Sequence, residues 1–236
     1  MRSLALRLCS LLLCVVLLSG CVRYDVGVRF DHQTRGRITE HIRLDERLLG
    51  LNRAAAIAWI DSLARNARQQ GARVDRPAPE ELVVALPFSG GPDLVRRFEG
   101  LFEGDNDTAV TPHLTLTQAN ALLALNNHLS LEVDLRPLAL SGPDGEPLAS
   151  PGSLLGLEFQ LQTPWGASVT APGLPLQRQG NTLTWTLQPG QLNHLEADFW
   201  IPSPIGLGAL GIGLLLVLGL GLQASLRRAE EAAADS

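Results

Sequence analysis

Eighteen consecutive residues, Ile205 to Leu222, carry no polar side chain. As a helix rising about 1.5 Å per residue, the run reaches roughly 27 Å, close to the hydrocarbon thickness of a bilayer. Ser203 and Pro204 suit the N-cap and first helical positions, and Trp200 sits where an interfacial aromatic belongs. Arg227 and Arg228 follow the run, which places the C-terminus on the cytoplasmic side. The glycines and alanine at Gly206, Ala209 and Gly213 share one helix face, open to close approach by a neighbouring helix of a membrane protein partner. Gly206 to Gly211 also spells GxGxxG. No strand precedes it and it lies inside the apolar run, so a dinucleotide site is excluded.

The N-terminus has the opposite job. Arg2 and Arg7 precede an apolar stretch from Leu8 to Leu18 that is too short to span a bilayer, which is the layout of an export signal. The chain's 3 cysteines, Cys9, Cys14 and Cys21, all fall in the first 21 residues. After removal of residues 1–20 at most one remains, so no intrachain disulfide forms and the exported domain relies on its own core. The expected organisation is a signal peptide over 1–20, an extracytoplasmic domain over 21–203, a transmembrane helix over 204–226 and a cytoplasmic tail over 227–236. Two anchors would bring Val22 and Pro202 to one membrane surface.

Charge narrows the partners. The net charge is -5, so nucleic acid, which demands a basic footprint, is excluded. The distribution is uneven: 11 Arg and 7 acidic residues lie between Val22 and Arg76, against 4 Arg and 14 acidic residues from Pro77 to Pro204. An Arg excess beside the N-terminal anchor suits anionic headgroups.

Within the domain, Tyr24, Val26, Val28 and Phe30 alternate with polar residues, and Ile38, Ile42 and Leu44 follow a turn at 33–36, which predicts a hairpin. Asn52 to Gln70 reads as a helix capped by Asn52, with Ala55, Trp59, Leu63 and Ala67 on one face. Strands are expected near 72–76 and 81–88, and Gly91-Pro92-Asp93 opens a second helix. A loop is expected at 104–108. From Thr111 the pattern is all β, with alternation at 128–135 and 155–161, a loop at 141–153, and strands at 182–187 and 195–199 around the type II turn signature Gln188-Pro189-Gly190-Gln191. The fold class is α+β: an antiparallel sheet with two helices, followed by a single C-terminal transmembrane helix.

Motifs for catalysis are missing: no GxSxG, HExxH or P-loop occurs. The expectation is a protein that is not an enzyme and carries no cofactor. His128, Glu132 and Asp134 share one strand face, as do His194, Glu196 and Asp198. Were those strands neighbours, they would offer a His/carboxylate metal site; the plainer reading is two solvated faces. Trp165, in a Thr-Pro-Trp-Gly turn, is expected to plug the core, the other reading being an interfacial contact.

Leu18-Ser19-Gly20-Cys21 resembles the lipobox of bacterial lipoproteins, which implies diacylglyceryl modification of Cys21. Further strings carry a wider resemblance: Cys21-Val22-Arg23-Tyr24-Asp25-Val26-Gly27, Leu129-Ser130, Ser150-Pro151-Gly152-Ser153-Leu154-Leu155, Thr163-Pro164-Trp165-Gly166, Trp185-Thr186-Leu187-Gln188-Pro189-Gly190 and Trp200-Ile201-Pro202-Ser203-Pro204. Together they resemble an uncharacterised family of cyanobacterial membrane lipoproteins, one of the domain-of-unknown-function classes, and more distantly the mycobacterial LppM-like lipoprotein domain. That resemblance implies a plasma or thylakoid membrane, a domain in periplasm or lumen, and binding of membrane lipids or envelope components. It supplies no catalytic residues. The alternative is an assembly factor for a membrane protein complex.

Overall fold

The structure, a computed structural model, describes residues 22–102, 110, 112–138, 155–171 and 173–234. Leu18, Ser19, Gly20 and Cys21 lie outside the described residues, as do the loops expected at 104–108 and 141–153.

Strands β1 (Val22–His32) and β2 (Arg35–Leu44) form the expected hairpin. Their inward positions, Val26, Val28, Phe30, Ile38 and Ile42, are buried, as period-two patterning requires. Gly36 is inward too. A Cβ there would overlap the Phe88 ring and come within 2.5 Å of the Arg29 carbonyl oxygen, so any side chain would force its neighbours to shift. Next come α1 (Glu46–Gln69), β3 (Arg73–Ala78), β4 (Glu81–Phe88) and α2 (Gly91–Phe102). Strands β5 (Pro112–Asn120), β6 (Ala124–Asp134), β7 (Leu155–Gln162), β8 (Ala167–Val169), β9 (Leu176–Gln179), β10 (Thr182–Thr186) and β11 (Leu192–Pro202) follow. A 3₁₀ turn spans Arg136–Leu138, and α3 runs Pro204–Ala234.

The expectation of one antiparallel sheet is corrected in two ways. The described residues form two sheets, ordered β3-β4-β2-β1-β7-β10-β9 and β5-β6-β11-β8. The larger one is mixed, because β1 pairs with β7 in parallel, from Val22 opposite Leu155 to Arg29 opposite Gln162. Alternation in a strand is the same whichever way its neighbour runs, so this direction cannot be read from the pattern. Among the described residues two α-helices belong to the domain and α3 follows at the C-terminus, as expected, and the 3₁₀ turn is an addition.

Helix α1 starts earlier than expected. Asp45 accepts the Arg47 backbone N–H at 2.9 Å, and the chain breaks at Asn52 (φ −156°, ψ 82°). Asn52 then accepts the Ala55 N–H at 3.0 Å, so it caps the second stretch as read from sequence. The buried face is Ile60, Ala64 and Ala67, with Ala56, Ile57 and Leu63 half-buried. Trp59 and Ala55 are exposed, so the helix is turned from the expected row. Asn66 and Gln70 donate to the carbonyls of Leu101 and Gly100 at 3.3 and 2.6 Å, tying α1 to the end of α2.

Strand directions decide the geometry of the ends. The Phe30 ring, near the end of β1, lies 5.0 Å from that of Phe199, near the end of β11. Val22 is eight residues back along β1, about 26 Å at 3.3 Å per residue. Val22 and Pro202 therefore lie toward opposite ends of the sandwich, which corrects the expectation that both meet one surface. Among the described residues one helix is long and apolar enough to cross a membrane, Pro204–Ala224 within α3, and none of that stretch is buried against the domain.

Candidate functional site

At the Val22 end the sheets part and leave a cavity of about 1080 Å³, just above the roughly 300–1,000 Å³ typical of ligand sites. Its floor is β1 and β7, through Val22, Tyr24, Val26, Leu155, Leu157 and Phe159. Leu131 and Val133 of β6, with Leu135 and Leu138, form the opposite wall. Leu48, Trp59 and Leu63 of α1 and Phe98, Leu101 and Phe102 of α2 close the sides. Among the described residues, the charged and amide or hydroxyl-bearing aliphatic side chains of the lining are Glu158 and Ser62, Arg65, Asn66 and Gln69. The last four recur at i, i+3, i+4 and i+7, so one edge of α1 supplies a polar rim to an apolar chamber.

The chamber exists because the facing elements diverge. Nearer Pro202 the sheets meet directly through Phe30 and Phe199. Toward Val22, α2 packs against strands of both sheets, with Phe98 set 5.2 Å from Phe102 and 6.4 Å from Phe159, ring centre to ring centre.

Behind the floor lies a buried acid. Glu40 occupies an inward position of β2, opposite Val26 of β1 and Val84 of β4, and is only 4% exposed. Tyr24, which lines the chamber, donates its hydroxyl to Glu40 Oε1 at 3.2 Å. Burial pushes the Glu40 carboxyl up to about 7, with the Tyr24 hydrogen bond working the other way. Burial also raises the Tyr24 phenol, helped by the nearby carboxylate. The pair is therefore a neutral, hydrogen-bonded unit at mildly acid pH. Glu40 escaped the sequence reading although the signal was there: it stands in the inward register between Ile38 and Ile42, where a charged residue is out of place.

The His/carboxylate strands are neighbours. β6 and β11 pair so that His128 faces Asp198 and His194 faces Glu132. Two separate hydrogen bonds result, between His128 Nδ1 and Asp198 at 2.7 Å and between His194 Nε2 and Glu196 at 3.0 Å. Asp134 turns instead to Arg136, whose hydrogen bonds hold its carboxyl down at about 2. Among the described residues no group of three or more His, Cys, Asp or Glu is arranged to hold a metal ion. Trp165 is 60% exposed and plugs no core; it stands between Pro164 and Gly166 in the turn that joins β7 to β8.

The chain matches the family described as "Protein of unknown function (DUF3153)" over residues 26–229 and belongs to that family. The match runs from β1 into α3, so the domain and its terminal helix form one family unit. No curated protein matches the chain. Among solved structures, the folded domain of Mycobacterium tuberculosis LppM, determined by NMR, is similar at 14% identity with a TM-score of 0.41. The likeness covers 78% of this chain and 92% of that one.

Proposed function

We propose that this DUF3153 protein is a membrane-anchored extracytoplasmic lipoprotein whose domain binds acyl chains in the chamber between its sheets, with no reaction to catalyse. The single observation that carries the reading is the chamber itself, large, apolar and rimmed by polar residues on one side only. Each CH₂ removed from water contributes about 0.8 kcal/mol. Ten methylenes contribute about 8 kcal/mol, a micromolar affinity before the costs of ordering. The polar edge of α1 suits a headgroup left at the mouth. In this reading α3 crosses the bilayer with the C-terminus inside, and Cys21 carries diacylglycerol.

Two sources of acyl chain share this chemistry: a membrane lipid, and the lipid on Cys21, one residue before the chamber-lining Val22. A benzoylphenylalanine placed at Leu157 of the full chain and irradiated in intact membranes separates them. An acyl adduct at 157, absent from the same probe at the outward Ser130, is the expected result. An adduct that vanishes in Cys21→Ser identifies the protein's own anchor; one that persists identifies a membrane lipid. No adduct at 157 in either background would sink the reading. A second reading, an assembly factor, draws on α3, where a Cβ at Gly208, Gly211 or Gly213 would meet nothing within 4 Å. A stoichiometric partner on a native gel, lost when α3 is exchanged for a polyleucine helix, would favour it.

A further inference from the structure

The end of the domain from which α3 emerges is not an ordinary polar surface. β11 runs straight into α3 with only Ser203 between them. The Ser203 N–H donates to the Leu123 carbonyl at 2.9 Å, and the Ser203 hydroxyl accepts the Gly206 N–H at 3.2 Å. A Cβ at Gly206 would overlap the Leu122 carbonyl oxygen. The tip of the β5–β6 hairpin thus rests on the first turn of α3. That tip carries Leu122 at 81% exposure, with Leu123 exposed beside it.

Leu122 also has φ +65°. This left-handed conformation ordinarily goes to glycine or asparagine, which suit a water-facing turn. Here a leucine occupies it and projects outward. Two tryptophans join it at the same level. Trp200, 44% exposed, is on the outer face of β11 two residues before Pro202. Trp165 arrives by register: β8 is antiparallel to β11 with Ala167 opposite Phe199, so the chain before Ala167 runs toward the Pro202 end.

We propose that Leu122, Leu123, Trp165 and Trp200 form an apolar foot seated in the interface of the bilayer that α3 crosses, so that the domain stands upright with its chamber end facing away. The inference takes from the proposed function only that α3 spans a membrane. The occupant is the bilayer because the foot is continuous with the span: an 18-residue apolar helix begins within hydrogen-bonding reach of the leucines. Tryptophan rings prefer that depth, with one polar edge toward water. An upright stance also carries Val22 away from this bilayer, which leaves the chamber as the nearest apolar site for any lipid at Cys21.

The test uses the full chain in phosphatidylcholine vesicles whose acyl chains are brominated near the glycerol. Bromine quenches Trp165 and Trp200, so Trp165→Phe with Trp200→Phe removes most of the quenchable emission. Leu192→Trp, on the exposed far end of β11 and outside the chamber, adds emission that bromine leaves intact. Trp59 reports chamber occupancy and is common to all variants, so lipid in the chamber does not blur the comparison. A double variant with unchanged quenching, or strong quenching of the Leu192→Trp signal, overturns the upright stance. Alkaline carbonate extraction of the reconstituted chain from residue 21 onward with Cys21→Ser, which has no acyl anchor, examines the span separately: release would remove the proposal together with the span, whereas a retained chain lacking Trp165 and Trp200 quenching refutes the foot alone.

Discussion

Replacing Glu40 by Gln removes a charge from the core without changing its shape. The folded carboxyl titrates at about 7, against 4.5 for an ordinary Glu side chain. Below pH 4.5 the group is protonated in both folded and unfolded chains and adds no pH dependence. As the pH rises the unfolded chain ionises first, and the folded state loses stability until the buried group also ionises, through pH 7. At about 1.4 kcal/mol per pKa unit the full loss is about 3 kcal/mol, a large share of the 5–15 kcal/mol typical of a domain. Tyr24 donates to an amide oxygen as readily as to a carboxyl, so its hydrogen bond survives the change. Urea unfolding of the full chain in detergent micelles, followed through the buried Trp185, is the assay. The wild-type chain should weaken markedly between pH 5 and pH 8, while Glu40→Gln should show a flat profile over this range and exceed wild type at pH 8. Parallel profiles for the two proteins would mean that the carboxyl is charged and solvated in the fold, and would refute the argument.

Three further outcomes are expected. Gly36→Ala should cost about 1–3 kcal/mol by overpacking against Phe88, seen as a lower melting temperature. Phe98→Ala should cost about 3–5 kcal/mol, because Phe98 props the chamber between Phe102 and Phe159; retention of the wild-type melting temperature would contradict this role. Cys21→Ser should abolish metabolic labelling with palmitate, and persistent labelling would place the acylation elsewhere.

Much of the local structure was legible. The β1–β2 hairpin, α2, the β10–β11 turn and the apolar span each follow from a period or from a turn residue. Gly190, for example, takes φ +83° in the turn its Pro-Gly sequence announces. The start of α1 was read late because Asn52 caps a second stretch, and a capping residue looks the same whether or not a helical turn precedes it. β8 and β9, three and four residues long, are too short to show a period. The candidate site was hardly legible at all. Its lining comes from β1, β6, β7, α1 and α2, and each contributes residues that look like ordinary core. Glu40, a charged residue in an inward register, was the one signal beside the site that the pattern offered among the described residues.

The sequence by itself determined where the chain is apolar, which faces turn inward, and that one helix near the C-terminus is long and apolar enough for a membrane. Those properties depend on residues a few positions apart, and near neighbours along the chain carry them. Tertiary structure alone decided that β1 and β7 run parallel, that Val22 and Pro202 lie at opposite ends, and that Leu122 and Leu123 rest on the first turn of α3. Each of these depends on which distant strands pair and in which direction. Alternation is blind to direction: a strand buries the same side chains against a parallel neighbour as against an antiparallel one.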